Sequence, residues 1–489
     1  MLKLRPYQKE ARSLLRGRFR AGAQRVILCA PTGAGKTVIF SDIAKHTNAL
    51  GNRILILTDR IELLKQGSGA LSKVGLEVEV IQAGQKIDKI NYQASAFIAM
   101  VETLNRRLQN RVFRRLLGKI DLLIIDEAHK GNFRKIFDHF PDAWVIGATA
   151  TPISASIKHP LRDFYDDIVE NTSIPELVNS GFLVPCRTFA AKEKLEAKDL
   201  RVKKGEYTEE SQFNWFDKKE HYADIVDKYE YFAKGKKALI FNINIKHSEK
   251  TTLAFKERGI RSAHLDGTTP KGQREEILRE FNEGKIQVLN NVGVLTTGYD
   301  EPSIEVIGLN RRTKSLPLYL QMVGRGSRPY PGKKDFVVLD MGANFEEFGT
   351  WDEPRSMSEV FFNPAKAKEK LDAAPAKACK KCGAINSIAA RVCIACGEEF
   401  PKPKPTVEEI VGAHFVEVKP EEILRQDPKN WTFEDILVVQ KIKGYKDGWL
   451  YYQMAERGVA FLQQYAKLKG YRPGWVYATL KRFNKLPAS

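Results

Sequence analysis

A series of short, uninterrupted apolar runs constrains this 489-residue chain more than any other feature. In the first third they are Arg25–Ala30 (RVILCA), Arg53–Thr58 (RILILT), Phe97–Val101 (FIAMV), Asp121–Ile125 (DLLII) and Trp144–Ala148 (WVIGA), separated by helix-like stretches. A sheet with one wet face would alternate apolar and polar residues, and these runs do not. Strands covered by helices on both faces read this way, so the pattern predicts a doubly wound parallel α/β domain over 1–185. The runs return as Ala238–Asn242 (ALIFN), Ile286–Asn290 (IQVLN), Glu305–Leu309 (EVIGL) and Asp335–Leu339 (DFVVL), which predicts a second parallel-sheet α/β domain over 238–345. The polar stretch 186–237 reads as an insertion or connector. Residues 346–378 read as a linker that ends rich in Ala, Lys and Pro, 379–400 hold a cysteine cluster, and 401–489 open on PKPKP, a stiff extended spacer. No internal repeat is expected beyond the two α/β domains.

Directly after the first apolar run, Ala30–Thr37 reads APTGAGKT and leads into a helix-like start. A glycine-rich turn between a strand and a helix lets backbone N–H groups converge on phosphate oxygens. In that reading Thr32, Gly33, Ala34 and Gly35 form the cradle, Lys36 reaches the β/γ oxygens, and the Thr37 hydroxyl ligates Mg²⁺. Ala30 stands where the general pattern has its first glycine. Asp126-Glu127-Ala128-His129 follows the run DLLII, at the exit of a parallel strand. There Asp126 is expected to hold Mg²⁺ and Glu127 to orient or deprotonate an attacking water, with His129 in the same catalytic set. Glu127 favours turnover over mere nucleotide binding.

Composition narrows the partners. Apolar residues make up 43% and charged residues 28%, which is a globular balance and not a disordered one. Lys and Arg number 79 against 60 Asp and Glu, an excess of 19 positive charges that points to a polyanion, nucleic acid first. No apolar run approaches the ~20 residues that span a bilayer, and MLKLRPYQKE carries no hydrophobic signal core, so a cytoplasmic protein with no membrane partner is expected. Four of the six cysteines form two knuckles, Cys379-x-x-Cys382 and Cys393-x-x-Cys396, ten residues apart. That spacing suits four thiolates on one Zn²⁺, with Gly383 and Gly397 easing each tight turn. Cys29 and Cys186 lie in apolar runs and read as core.

The motif series resembles a superfamily-two helicase of DEAH type. Leu4-Arg5-Pro6-Tyr7-Gln8 resembles the adenine-recognising motif, with Gln8 as the base contact. Thr58-Asp59-Arg60 and Val101-Glu102-Thr103-Leu104 resemble motifs Ia and Ib, and Gly147–Pro152 (GATATP) resembles motif III. In the second domain NNVGVLTTGYDEP (290–302) resembles motif V, and QMVGRGSR (321–328) fits motif VI. The resemblance implies two tandem RecA-like domains, with Gly298, Asp300 and Gln321 at the nucleotide and Arg325 and Arg328 as arginine fingers. It implies nucleic-acid contacts at Arg60, Thr103, Thr149, Thr151 and Thr297. LTTGYDEP, LYLQMVGRGSRPYPGKKDFVVLDMGAN and the downstream cysteines are similar to the RadD-like bacterial DNA-repair helicases and their phage relatives. That likeness covers roughly residues 1–400. It implies ATP, Mg²⁺ and Zn²⁺ as cofactors, and the cytoplasm of a bacterium or phage-infected cell. DNA, single-stranded or forked, would be the track, with a single-strand-binding or other repair or replication protein as a partner. A translocase without strand separation and an ATP-gated binding or annealing scaffold remain the alternatives, and RNA is not excluded.

From Lys441 onward there are ten Lys or Arg and two acidic residues, interleaved with Trp449, Tyr451, Tyr452, Tyr465, Tyr471, Trp475 and Tyr477. Cations that track phosphates beside rings that stack on bases suit single-stranded or junction DNA. A small helical domain whose rings form its core fits the same letters.

Overall fold

The computed structural model describes residues 4–58, 61–131, 133–154, 159–190, 200–203, 205–296, 298–364, 376–387, 390–400, 427–471 and 474–483. It divides into two compact units, residues 1–402 and 403–489.

In the first unit, seven parallel strands form one sheet: β1 (Arg25–Cys29), β2 (Ile54–Thr58), β3 (Val78–Ile81), β4 (Ala96–Met100), β5 (Leu122–Ile125), β6 (Trp144–Thr149) and β7 (Asp167–Glu170), in the order β3-β4-β2-β5-β6-β1-β7. The central strands β1, β2 and β5 are almost wholly buried, as their unbroken apolar runs require. β1 lies between β6 and β7, with Leu28 opposite Ala148 and Val169. This registration brings the ends of β1, β5 and β6, and the turns that leave them, to one edge of the sheet. The parallel prediction holds, with β3 and β7 as additional strands.

β8 (Cys186–Ala190) belongs to the second domain's sheet. A short antiparallel hairpin follows, β9 (Val202–Lys203) with β10 (Glu206–Tyr207). The second sheet continues with β11 (Ala238–Asn242), β12 (Ser262–Leu265), β13 (Val288–Asn291), β14 (Val306–Asn310), β15 (Phe336–Asp340), β16 (Ala376–Ala378) and β17 (Ala384–Ser387). Its order is β12-β13-β11-β14-β15-β8-β17-β16, parallel as far as β8 and antiparallel beyond. The stretch expected as a connector therefore supplies a strand: β8 pairs with β15 along Cys186–Ala190. The hairpin is pinned as well, because Glu206 accepts from the Lys314 N–H at 2.9 Å.

The expected linker after residue 345 also begins as packed structure. Trp351 is 1% exposed, and the helix Met357–Phe362 presents the N–H groups of Met357 and Ser358 to the Glu170 carboxylate on β7, at 2.9 and 2.6 Å. The cysteine element is no separate bead either, since β17 hydrogen-bonds to β8 and extends the second sheet. The PKPKP spacer lies outside the described residues. So does most of the Ala/Lys/Pro-rich stretch.

Among the described residues, the second unit has four α-helices, Phe433–Lys443, Asp447–Glu456, Val459–Lys469 and Gly474–Arg482, around Ile436, Leu450, Met454, Leu462, Tyr465 and Leu480. Among the described residues no helix is long and apolar enough to cross a membrane.

Candidate functional site

The turn between β1 and the helix Lys36–Asn48 is held from beneath. Gly33 and Gly35 take left-handed backbone, φ 88° and 75°, which a residue without Cβ adopts at little cost. A Cβ on Gly35 would also lie 2.7 Å from Gln8 Nε2 and push that side chain aside. Gln8 is 3% exposed; its amide accepts from the Arg5 N–H at 3.0 Å and donates to the Ala34 carbonyl at 3.1 Å. The Tyr7 hydroxyl donates to the same carbonyl at 2.8 Å. The side chain expected to read a base thus props the turn, with Tyr7 as a partner that motif reading missed. Lys36 Nζ donates to the Ala30 carbonyl at 3.1 Å, and the Thr37 side chain faces solvent.

Asp126 and Glu127 leave β5 beside this turn. The Asp126 N–H donates to the Leu57 carbonyl at 2.9 Å, and the Glu127 N–H to Asp126 Oδ1 at 3.1 Å. Glu127 itself is left-handed at φ 52°, one of two non-glycine residues so placed among those described. Its Oε2 lies 3.3 Å from His129 Nδ1, and His129 Nδ1 lies 3.0 Å from Thr149 Oγ1. Thr149 Oγ1 in turn donates to the Thr151 carbonyl at 2.8 Å and accepts from the Thr151 N–H at 3.0 Å. The resemblance puts Thr149 and Thr151 on nucleic acid, whereas they are 0% and 1% exposed. The Thr149 hydroxyl and the Thr151 backbone link motif III to His129 and so to Glu127, while the Thr151 hydroxyl is buried without a hydrogen-bond partner.

The second domain meets this site directly. Gln321 Nε2 donates to Glu127 Oε2 at 3.3 Å. A Cβ on Gly324 would lie 2.9 Å from Thr32 Cβ, and one on Gly33 would lie 3.4 Å from Ser327 Oγ. Ser327, absent from the sequence prediction although it sits inside motif VI, also accepts from the Val184 N–H at 2.8 Å. The two arginines behave differently. Arg325 is 5% exposed, and its Nε and Nη2 both donate to the Thr296 carbonyl, at 3.1 and 2.9 Å. In this arrangement it braces motif V. Arg328 Nε pairs with Asp300 Oδ1 at 2.6 Å, while its Nη1 is buried without a hydrogen-bond partner. Burial lowers the Arg328 pKa and the Asp300 carboxylate opposes that shift. Asp300, expected at the nucleotide, here holds the Arg328 side chain. Gly298 is left-handed at φ 78° in the motif V turn. Thr103 is half-buried near the start of the helix Val101–Arg107. Arg60 and Thr297 lie outside the described residues.

The four knuckle cysteines come together. Their sulfur atoms all lie within 4.8 Å of one another, and Cys379–Cys396 and Cys382–Cys393 are each 3.7 Å apart. A tetrahedral site with bonds of about 2.3 Å has edges of about 3.8 Å, so this donor set fits one zinc ion. Gly383 and Gly397 turn at φ 75° and 74°. Burial disfavours the Cys393 thiolate, while the N–H groups of Cys396 and Ala395 and the Asn386 side chain favour it and lower its pKa. Asn386, unsuspected from the spacing, donates to Cys393 Sγ at 3.6 Å and accepts from the Ile394 N–H at 2.9 Å.

Comparison with known proteins follows the same division. Residues 1–154 match the family described as type III restriction enzyme, res subunit, and residues 218–329 match the helicase conserved C-terminal domain. A 51.5 kDa protein of a Lactococcus phage (isolate 7-9) is 29% identical over 377 residues, covering 76% of this chain and 77% of that protein. The candidate ATP-dependent helicase IRC3 of Saccharomyces cerevisiae is 30% identical over 356 residues, 69% of this chain, and the chain spans about half the yeast protein's length (51%). The solved structure of the ATP-dependent type ISP restriction-modification enzyme LlaBIII bound to DNA shares the fold, with a TM-score of 0.54 at 18% identity over 76% of this chain and 30% of that one. Both halves of a helicase core, matched in order and meeting at Glu127 and Gln321, place the chain among the superfamily-two helicases, the ATP-hydrolysing family to which it belongs.

Proposed function

We propose that this chain is a nucleic-acid-dependent ATPase that moves along DNA and unwinds or remodels it, in repair or replication. The Gln321–Glu127 hydrogen bond carries the reading, because it ties the carboxylate that would orient water to the second domain. Hydrolysis then depends on how the domains are apposed, which is what couples a chemical step to movement. Lys36 and the backbone from Gly33 to Gly35 would hold the β- and γ-phosphates. Thr37 and Asp126 would hold Mg²⁺, which when bound neutralises phosphate charge. Arg328 would stabilise charge on the γ-phosphoryl oxygens. Zn²⁺ at Cys379, Cys382, Cys393 and Cys396 would keep the edge of the second sheet folded. DNA is favoured over RNA by the RadD-like motifs and by the fold shared with a restriction enzyme solved on DNA.

That same likeness supports a second reading, translocation on duplex without strand separation. ATP-dependent unwinding of a forked duplex and displacement of a triplex-forming strand separate the two. Helicase action gives both; translocation alone gives triplex displacement only. Glu127→Gln should reduce either activity at least ~100-fold while ATP still binds. Activity that survives this change contradicts both motor readings and leaves an ATP-gated scaffold.

A further inference from the structure

The second unit is a duplication. KIKGYKDGWLYY (441–452) and KLKGYRPGWVYA (467–478) are identical at seven of twelve positions, and the copies lie 26 residues apart. This overturns the expectation of no repeat. The two copies also fold alike. Gly444 and Gly470 cap their helices in the same left-handed conformation, φ 65° ψ 27° and φ 69° ψ 25°. The next residue closes each turn on an equivalent carbonyl, Tyr445 N–H to Gln440 at 3.1 Å and Tyr471 N–H to Ala466 at 2.8 Å. Tyr445 leans on Trp449 with ring centroids 4.6 Å apart at 41°, and Tyr471 on Trp475 at 4.9 Å and 48°. Ile436 and Leu462, each five residues before its copy, are both 0% exposed in the shared core.

Duplication of a buried core explains the apolar positions and the glycines. It does not explain why both copies keep two lysines and a tyrosine on the outside. Lys441, Lys443, Lys467 and Lys469 are exposed, and Tyr445 and Tyr471 are 44% and 39% exposed. Lysines at a helix C-terminus favour the helix dipole, but that gain is a few tenths of a kcal/mol to ~1 each and asks nothing of the neighbouring ring. A cation pair beside a half-exposed ring, braced from behind by tryptophan, suits a phosphate followed by an unpaired base. Inside a duplex the base faces are covered, so the ring selects single strands.

We propose that the two Lys-x-Lys-Gly-Tyr turns are paired single-strand grips, each holding backbone phosphates with its lysines (441 and 443; 467 and 469) and stacking one base on Tyr445 or Tyr471. The proposal rests on the reading that the chain acts on nucleic acid and adds where, and in what form, the strand is held outside the motor. Two grips on one strand raise the effective concentration of each, so the pair binds more tightly than either alone.

The test uses the full-length protein, without nucleotide, against a fluorescent oligothymidine and a duplex of equal length. Tyr445→Ala and Tyr471→Ala should each weaken single-strand binding roughly 5- to 150-fold, the range for one lost stack. Tyr445→Phe, which keeps the ring, should bind as the parent protein does, and unfolding midpoints of the Ala variants equal to the parent's exclude a folding defect. Lys441→Ala with Lys443→Ala should lower the salt slope for single strands by about 1.4. Unchanged affinity and slope in the variant altered at both turns overturns the proposal, and so does equal loss on the duplex. DNA-stimulated ATP hydrolysis by those same variants reports on the motor separately: if it persists while binding is unchanged, only the grip is wrong, and if no polynucleotide ever stimulates the parent protein, the motor reading fails first.

Discussion

Glu127 sits in a backbone region that costs a non-glycine residue about 1–3 kcal/mol, and such strain persists only where the surroundings enforce it. Here they do, through His129 on one side and Gln321 on the other. Motif letters made the carboxylate legible but not its partners: Thr149 and Thr151 read as strand contacts, and only their burial shows the hydroxyl of Thr149 turned toward His129. Arg325 and Arg328 are likewise indistinguishable in QMVGRGSR until one is seen bracing Thr296 and the other paired with Asp300. A different residue, His247, makes stability fall on mild acidification. Burial pushes the His247 imidazole down from 6.5 to about 3, with Asp217 pulling weakly the other way. Protonation would also set a ring N–H against the Ile243 N–H that donates to its Nδ1 at 3.4 Å. The unfolded chain takes up this proton near pH 6.5 and the folded one only near 3, so the contribution is complete above pH 6.5 and is lost on acidification. Between pH 6.5 and 5 the loss should be about 2 kcal/mol. Denaturant unfolding of the parent protein and His247→Gln at pH 7.5, 6 and 5 checks this, and a variant with the same pH slope would contradict it.

At the scale of elements, the central strands were readable because burial on both faces leaves an unbroken apolar run. β7 (DIVE) and β12 (SAHL) carry charged or polar residues and gave no such signal. β8 escaped for another reason: its partner β15 lies about 150 residues away, and a local pattern cannot announce a pairing over that separation. The same strand explains the cysteine element, since β17 pairs with it at Ala384–Phe189 and Ile385–Thr188. Zinc bound at the four sulfurs would therefore fasten a sheet edge and not only its own loops. The protein should carry one zinc per chain by atomic absorption. Stripping it with a chelator should raise amide exchange in β16 and β17 at least ~10-fold, with a smaller rise at the Thr188 and Phe189 edge of β8. Full protection in zinc-free protein would show that the sheet holds the element unaided.

For the whole molecule, an excess of 19 positive charges supplies attraction to a polyanion but no direction of travel. Direction and coupling need two domains whose meeting completes a reactive site, and the contacts of Gly33 with Ser327, Gly324 with Thr32 and Glu127 with Gln321 are of that kind. The order of the motifs foretold that the domains would cooperate; which atoms meet was not legible, because it depends on residues about 190 to 300 positions apart. The duplicated turns of the second unit were overlooked at this scale, since a repeat of a dozen residues is small beside two α/β domains. The central claim is that polynucleotide binding drives ATP turnover. Steady-state ATP hydrolysis measured without polynucleotide, and with single-stranded, duplex and forked DNA and with RNA, tests it most directly. The account predicts stimulation of at least ~10-fold by a DNA form, lost in Lys36→Ala. Turnover that is the same in every case would contradict it.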